Sequence, residues 1–252
     1  MVEVPCEIRG APRLSKLVKP PDADALWQWY EAIDQLESDP SWAEVWPAAS
    51  SLASSLVAEP ALVRGRRVVE LGAGLGVCGL VAAALEARSV LLMDREPYAL
   101  HCAMATASLN GFSTSAELGP ESGGGAVAAA VVDWAAPEMG RFAGAADVVV
   151  CSDVLYDDAT VGLLAALAAD LLGRGGAIGS VCSSPGNEAL LLVTDPEVER
   201  FPGARNLFAQ ALKAAGATAV ISRPLPPVSV SASSYSPQGK PERTVLIEAR
   251  WD

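Results

Sequence analysis

VVELGAGLGVCG, residues 68–79, passes from a buried strand through a glycine turn into the first turn of a helix. Val68, Val69 and Leu71 form the apolar run of a parallel strand, interrupted only by Glu70. Gly72, Gly74 and Gly76 lack a Cβ, so the turn can bend tightly and a ligand can approach its N–H groups. Gly79 falls one helical turn later, where it lets the helix lie close on the strand. The expected result is a nucleotide-type pocket at the carboxyl end of a first strand.

Two patterns overlap here. Gly74 to Gly79 satisfies G-x-G-x-x-G, the dinucleotide fingerprint, and the frame that opens at Glu70 satisfies E-x-G-x-G-x-G. A capping turn with no ligand is a third reading, so the rest of the chain must arbitrate.

The chain has 252 residues, enough for one domain with embellishments, and 51% apolar against 19% charged residues excludes global disorder. A net charge of -12 repels phosphate backbones. Arg64, Arg66 and Arg67 are the only tight basic cluster, so no nucleic-acid partner is expected and a basic or lysine-bearing one suits the charge better. Five cysteines without C-x-x-C spacing point to buried thiols in a reducing compartment, not to disulfides or a zinc site. The single histidine, His101, reads as packing on a helix, which leaves little material for a histidine metal site or a serine–histidine triad. No apolar run is long enough to cross a membrane, and the start of the sequence lacks a signal-peptide core. A cytoplasmic location and a monomer are the default expectations.

In order, residues 1–25 read as an irregular proline-broken arm. Helices follow over Asp24–Glu37, capped by Asp22 or Asp24, and from Pro47 to about Glu59. Strands read at Arg66–Leu71, Ser89–Met93, Ala126–Val132, Ala146–Cys151, Ala177–Cys182, Ala217–Ser222 and Thr244–Arg250. Helices read between them at Val77–Ala87, Pro97–Asn110, Thr160–Leu172 and Leu207–Ala215. Ser113–Gly125 is a low-complexity insertion, and residues 183–203 and 224–241 read as loops, the first with a short element at Ala189–Val193. Strand and helix alternate, so the fold class is α/β: a doubly wound, mostly parallel seven-stranded sheet with a helical N-terminal extension. Residues 1–60 form the arm and helices packing on the core, and 61–252 the cofactor-binding domain.

Four strand ends carry polar or aromatic groups: Glu70 with the glycines, Asp94, Asp133-Trp134, and Ser152-Asp153 with Tyr156. In an open parallel sheet they face one crevice. Together with VWPAA at residues 45–49, this ordered set resembles the seven-stranded, class I S-adenosylmethionine-dependent methyltransferases, in particular the methyltransferase-like family that holds many protein-lysine methyltransferases. The resemblance covers about residues 42–182.

It implies S-adenosyl-L-methionine as cofactor and transfer of methyl groups to a lysine of a protein substrate. It also implies roles. Trp46 would wall the methionine end of the cofactor; Gly72, Gly74 and Gly76 would lie against it, with Glu70 in support below the turn. Asp94 would hold the ribose, Asp133 the adenine amino group, Trp134 would stack near the ring, and Ser152 would line the methionine side. Asp153 and Tyr156, a D-x-x-Y pair, would flank the substrate amine as the catalytic pair. No metal is implied. The prolines of the adenine and amide methyltransferases are missing after the fourth strand, which disfavours those substrates. Histidine, arginine or small-molecule nitrogen acceptors stay open, as do a nicotinamide-dependent oxidoreductase and a non-catalytic binding protein.

Overall fold

The computed structural model describes residues 1–6, 8–35, 38–115, 125–135, 142–175, 188–228 and 241–251. The N-terminal arm is more ordered than its prolines predict. Strands β1 (Val2–Pro5) and β2 (Lys16–Lys19) form an antiparallel pair, in register from Val2 opposite Lys19 to Pro5 opposite Lys16. Leu17 and Val18 are buried, and the Val18 N–H donates to Thr106 Oγ1 at 2.8 Å. Burial against the core fixes the arm, while Pro5 sits at a strand end, where a missing donor costs little.

Helix α1 (Ala23–Ala32) is capped by Asp22, whose side chain accepts from the Ala25 N–H. Helix α2 (Pro47–Ala58) starts at a proline and buries Leu52, Ala53 and Leu56. Its first turn is fastened to the sheet by Thr194 Oγ1, which donates to the Ala48 carbonyl at 2.8 Å.

The main body alternates as read: β3 (Arg67–Leu71), α3 (Val77–Ala84), β4 (Ser89–Asp94), α4 (Pro97–Leu109), β5 (Ala126–Val131), β6 (Val148–Ser152), α5 (Asp158–Leu171), β7 (Ala189–Pro196), α6 (Ala204–Ala214), β8 (Ala219–Pro224) and β9 (Thr244–Trp251). The seven strands β3 to β9 lie in the order β5-β4-β3-β6-β7-β9-β8, parallel except for β9, which runs antiparallel to β7 and β8. Alternate residues supply two cores. Val68, Val90, Leu92, Val148 and Val150 face α2, α3 and α4, while Leu71, Met93, Val149 and Cys151 face α5 and α6. His101 lies on α4 and is exposed.

One part of the sheet departs from the sequence reading. Residues 189–196, expected as a short element in a loop, form an eight-residue strand. It pairs with β6 on one edge and β9 on the other, and both faces are covered, so its apolar run lacks the alternation of a half-buried strand. The strand expected at Ala177–Cys182 lies outside the described residues, as do most of the Ser113–Gly125 insertion and of the 224–241 loop. Helix α3 stops before Ala87, with Glu86 at φ +66. Among the described residues, no helix is long and apolar enough to cross a membrane.

Candidate active site

From β3 the chain winds outward through β4 to β5, then returns to β6 on the other side of β3. The carboxyl ends of β3 and β6 therefore mark the point where the strand order reverses, the usual ligand crevice of an open α/β sheet. A cavity of about 600 Å³ opens there, within the ordinary range for a small-molecule site. Among the described residues, seven carboxylates line it against one arginine, Arg95.

The glycine turn forms its floor. Gly72, Gly74 and Gly76 have φ of +65, +50 and +71, a region closed to most side chains. The turn spends several of its own donors internally: Ala73 N–H on the Met93 carbonyl, Gly74 N–H on Asp94 Oδ2 and Gly76 N–H on the Ala73 carbonyl. The glycines also serve conformation and close packing. A Cβ on Gly72 would lie 3.1 Å from Trp134 Cζ2 and 3.0 Å from Val154 Cγ1, so the missing side chain admits the indole to the cavity wall.

Glu70 and Gly76 are not among the lining residues. Gly76 precedes α3, and a Cβ there would meet Leu92 and Ala103 at 2.9 and 3.0 Å. Glu70 is buried beneath the turn, where Oε2 accepts the Gly79 N–H at 2.7 Å. Burial pushes its carboxyl up to about 8, against the pull of the Gly79 amide.

Asp94 closes β4 and faces the cavity. Its Oδ2 takes the Gly74 N–H at 2.7 Å and its Oδ1 the Glu96 N–H at 2.9 Å. Burial again raises the carboxyl, with both amides opposing. The helix that follows is capped by Glu96, whose side chain accepts the Tyr98 N–H, so Asp94 is not spent as a helix cap.

At the far lip Asp133 accepts the Ala135 N–H at 2.8 Å and is otherwise exposed. Trp46, the residue before α2, lines the opposite wall and donates Nε1 to the Ser41 carbonyl at 3.0 Å. Trp42 is buried, with Nε1 bonded to Tyr30 Oη at 2.9 Å, and sits behind Gly74. Ser152 ends β6 on the same wall.

Asp153 and Tyr156 stand at the mouth. Tyr156 is half exposed. Asp153 has φ +53, unusual for a residue other than glycine, and its N–H is held by the Thr194 carbonyl at 2.9 Å. Both its carboxylate oxygens are engaged by Arg200: Nε donates to Oδ1 at 3.1 Å and Nη2 to Oδ2 at 2.6 Å.

Nine of the eleven residues singled out from sequence thus converge on one cavity, and Glu70 and Gly76 support it from behind. Arg200 was missed. It comes from the turn after β7, inside the stretch read as a loop, where no motif or periodicity marks a lone arginine.

Residues 32–185 match the family described as lysine methyltransferase. The electron transfer flavoprotein beta subunit lysine methyltransferase of Mus musculus is 30% identical over 131 residues, 52% of this chain and 45% of that protein. The calmodulin-lysine N-methyltransferase of Arabidopsis thaliana is 31% identical over 112 residues, 44% of this chain and 34% of that protein. In each case the match spans less than half of the relative's own length. Among solved structures, a SAM-dependent methyltransferase from Methanosarcina mazei shares the fold with a TM-score of 0.51 and 13% identity, over 77% of this chain and 96% of the other. The match to the family covers more than half of the sequence and spans the glycine turn, Asp94, Asp133-Trp134 and Asp153 to Tyr156: the chain belongs to the lysine methyltransferase family.

Proposed function

We propose that this chain is an S-adenosyl-L-methionine-dependent N-methyltransferase whose acceptor is a lysine side chain of a protein substrate. One observation carries the reading: groups suited to a nucleoside and groups suited to an amine meet in one cavity at the reversal point of the sheet. Asp94 and Asp133-Trp134 lie on the first side of it, Asp153 and Tyr156 on the second. Family membership supports the lysine acceptor, as do relatives named for lysines of a flavoprotein subunit and of calmodulin.

The cavity suits the cofactor's charge. A sulfonium cation is favoured beside the rings of Trp46 and Trp134 and in a site where carboxylates outnumber arginines. The same excess repels phosphate, which argues against a nucleic-acid substrate. Asp94 would accept from ribose hydroxyls, and Asp133 from the adenine amino group. When bound, S-adenosylmethionine supplies an electrophilic methyl group, which the lone pair of the acceptor nitrogen takes as the electron pair of the carbon–sulfur bond returns to sulfur. The chain's contribution is to hold the acceptor in line and at attack distance. Asp153 orients the amine, and Tyr156 bounds the channel through which it enters.

The test is methyl transfer from labelled S-adenosylmethionine into a cell extract separated into protein and small-molecule fractions. Label recovered as methyl-lysine after protein hydrolysis supports the reading. Label confined to small molecules keeps the cofactor and removes the protein acceptor.

A further inference from the structure

At the amine end of the cavity two lining residues, Asp153 and Trp46, are in contact with a cation of the chain that is not itself among the lining residues. Arg200 binds both oxygens of Asp153, and its guanidinium carbon lies 5.0 Å from the centre of the Trp46 ring. The Asp153 side chain is 7% exposed and that of Arg200 is 39% exposed, so the pair is screened on the carboxylate side and open on the other.

Both partners are held in place. Asp153 is fixed by its backbone, through φ +53 and the bond to Thr194. Arg200 rides on a turn that its neighbours clamp. Glu199 accepts the N–H groups of Gly203 and Arg205, each at 2.9 Å. Arg205 in turn reaches Asp195 Oδ2 at 2.8 Å, the Pro196 carbonyl at 2.6 Å and the Glu197 carbonyl at 3.0 Å.

A bare carboxylate is a poor companion for a nucleophilic amine. It stabilises the ammonium form, and only the neutral amine has a lone pair to offer. Two parallel bonds from a guanidinium cancel that charge, yet each carboxylate oxygen keeps capacity to accept from a further N–H. We propose that Arg200 is a positioning residue for methyl transfer: by pairing with Asp153 it gives the acceptor amine a neutral pair to dock on, so that the amine releases its proton to water before attack. The inference rests on the lysine-acceptor reading.

The other charged groups around the pair are Asp195 on β7, Glu199 in the turn, Arg205 in the first turn of α6, and Glu242 ahead of β9. Asp195 is fully buried and bonded to Arg205, which leaves Arg200 as the cation in direct contact with Asp153 among the described residues.

The experiment measures initial rates of methyl-lysine formation on total extract protein at saturating S-adenosylmethionine between pH 6 and pH 10. It compares the wild type, Arg200→Gln, Arg200→Lys and the double variant Asp153→Asn/Arg200→Gln. Binding of S-adenosylhomocysteine verifies that each variant is folded. The rate falls on the acid side as the amine becomes protonated. In Arg200→Gln this limb moves to higher pH by about one unit or more. In Arg200→Lys it stays near the wild-type position, and in the double variant it returns towards it, because a neutral pair again faces the amine. A purely structural arginine would instead lower the rate by one factor at every pH with the limb in place, and that result overturns the inference. Absence of methyl-lysine with the wild type removes the lysine-acceptor reading itself, and the inference with it.

Discussion

The carboxyl of Glu70, on β3, and the backbone N–H of Gly79, on α3, meet at 2.7 Å in the interior, directly under the glycine turn. This bond ties the strand to the helix, and its acceptor is an acid whose ionisation burial pushes up to about 8. Glu70 therefore takes up a proton on folding at any pH between its ordinary 4.5 and about 8. Across that window the folded state binds more protons than the unfolded one, so this group's contribution to stability is lost as pH rises through 8. Gln is an uncharged replacement that keeps an acceptor for Gly79. The wild-type Tm should fall more steeply between pH 6 and pH 9 than that of Glu70→Gln, as read by thermal unfolding in matched buffers.

Gly79 and Gly162 are both helical glycines with opposite surroundings. A Cβ on Gly79 would lie 2.4 Å from Leu92 Cδ2 and 2.9 Å from Glu70 Oε2, whereas one on Gly162 would meet nothing within 4 Å. Gly79→Ala should destabilise by about 1–3 kcal/mol through overpacking. Gly162→Ala, in the exposed face of α5, should stabilise by about 0.5–1 kcal/mol, the ordinary helix preference of alanine. Urea unfolding of the two variants checks both signs.

Asp94 connects the glycine turn to the cavity, so its loss should act on the cofactor first. Asp94→Ala removes a charged hydrogen-bond acceptor worth about 1.5–3 kcal/mol, and calorimetry with S-adenosylhomocysteine should show affinity at least about tenfold weaker.

Asp153 should behave in the opposite way. Asn is the suitable replacement, because it tolerates the left-handed backbone that Asp153 adopts. Asp153→Asn should leave S-adenosylhomocysteine affinity within about twofold and lower methyl transfer by about a hundredfold, the scale at which a misplaced reactant costs rate. Equal losses in binding and turnover would move Asp153 from the acceptor to the cofactor.

How far the sequence carried the reading differs along the chain for physical reasons. The glycine turn, Asp94 and Asp133-Trp134 were legible because strand ends in a parallel sheet share one edge, so a polar residue after an apolar run has a predictable address. The N-terminal strand pair was not. Its strands are four residues long, and their order comes from Thr106 on α4 and Asn110 at its C-terminal cap, far away in the sequence. Strand β7 was under-read because burial on both faces erases the period of two. Arg200 was invisible because its role exists only through residues 47 and 154 positions earlier, Asp153 and Trp46.

Strand β9 lies between β7 and β8 although it follows both in the chain. Among the described residues β8 pairs only with β9, so when β8 leaves the ribosome its partner strand has not yet been made. Residues 244–251 must arrive before either edge can zip, and Trp251 then closes over α6 by donating Nε1 to the Ala215 carbonyl at 3.1 Å. Folding during synthesis is thus split into two phases. β3 to β6 can assemble as they emerge, while α6 and β8 wait on the nascent chain as an unpaired, partly apolar segment that chaperones have reason to shield.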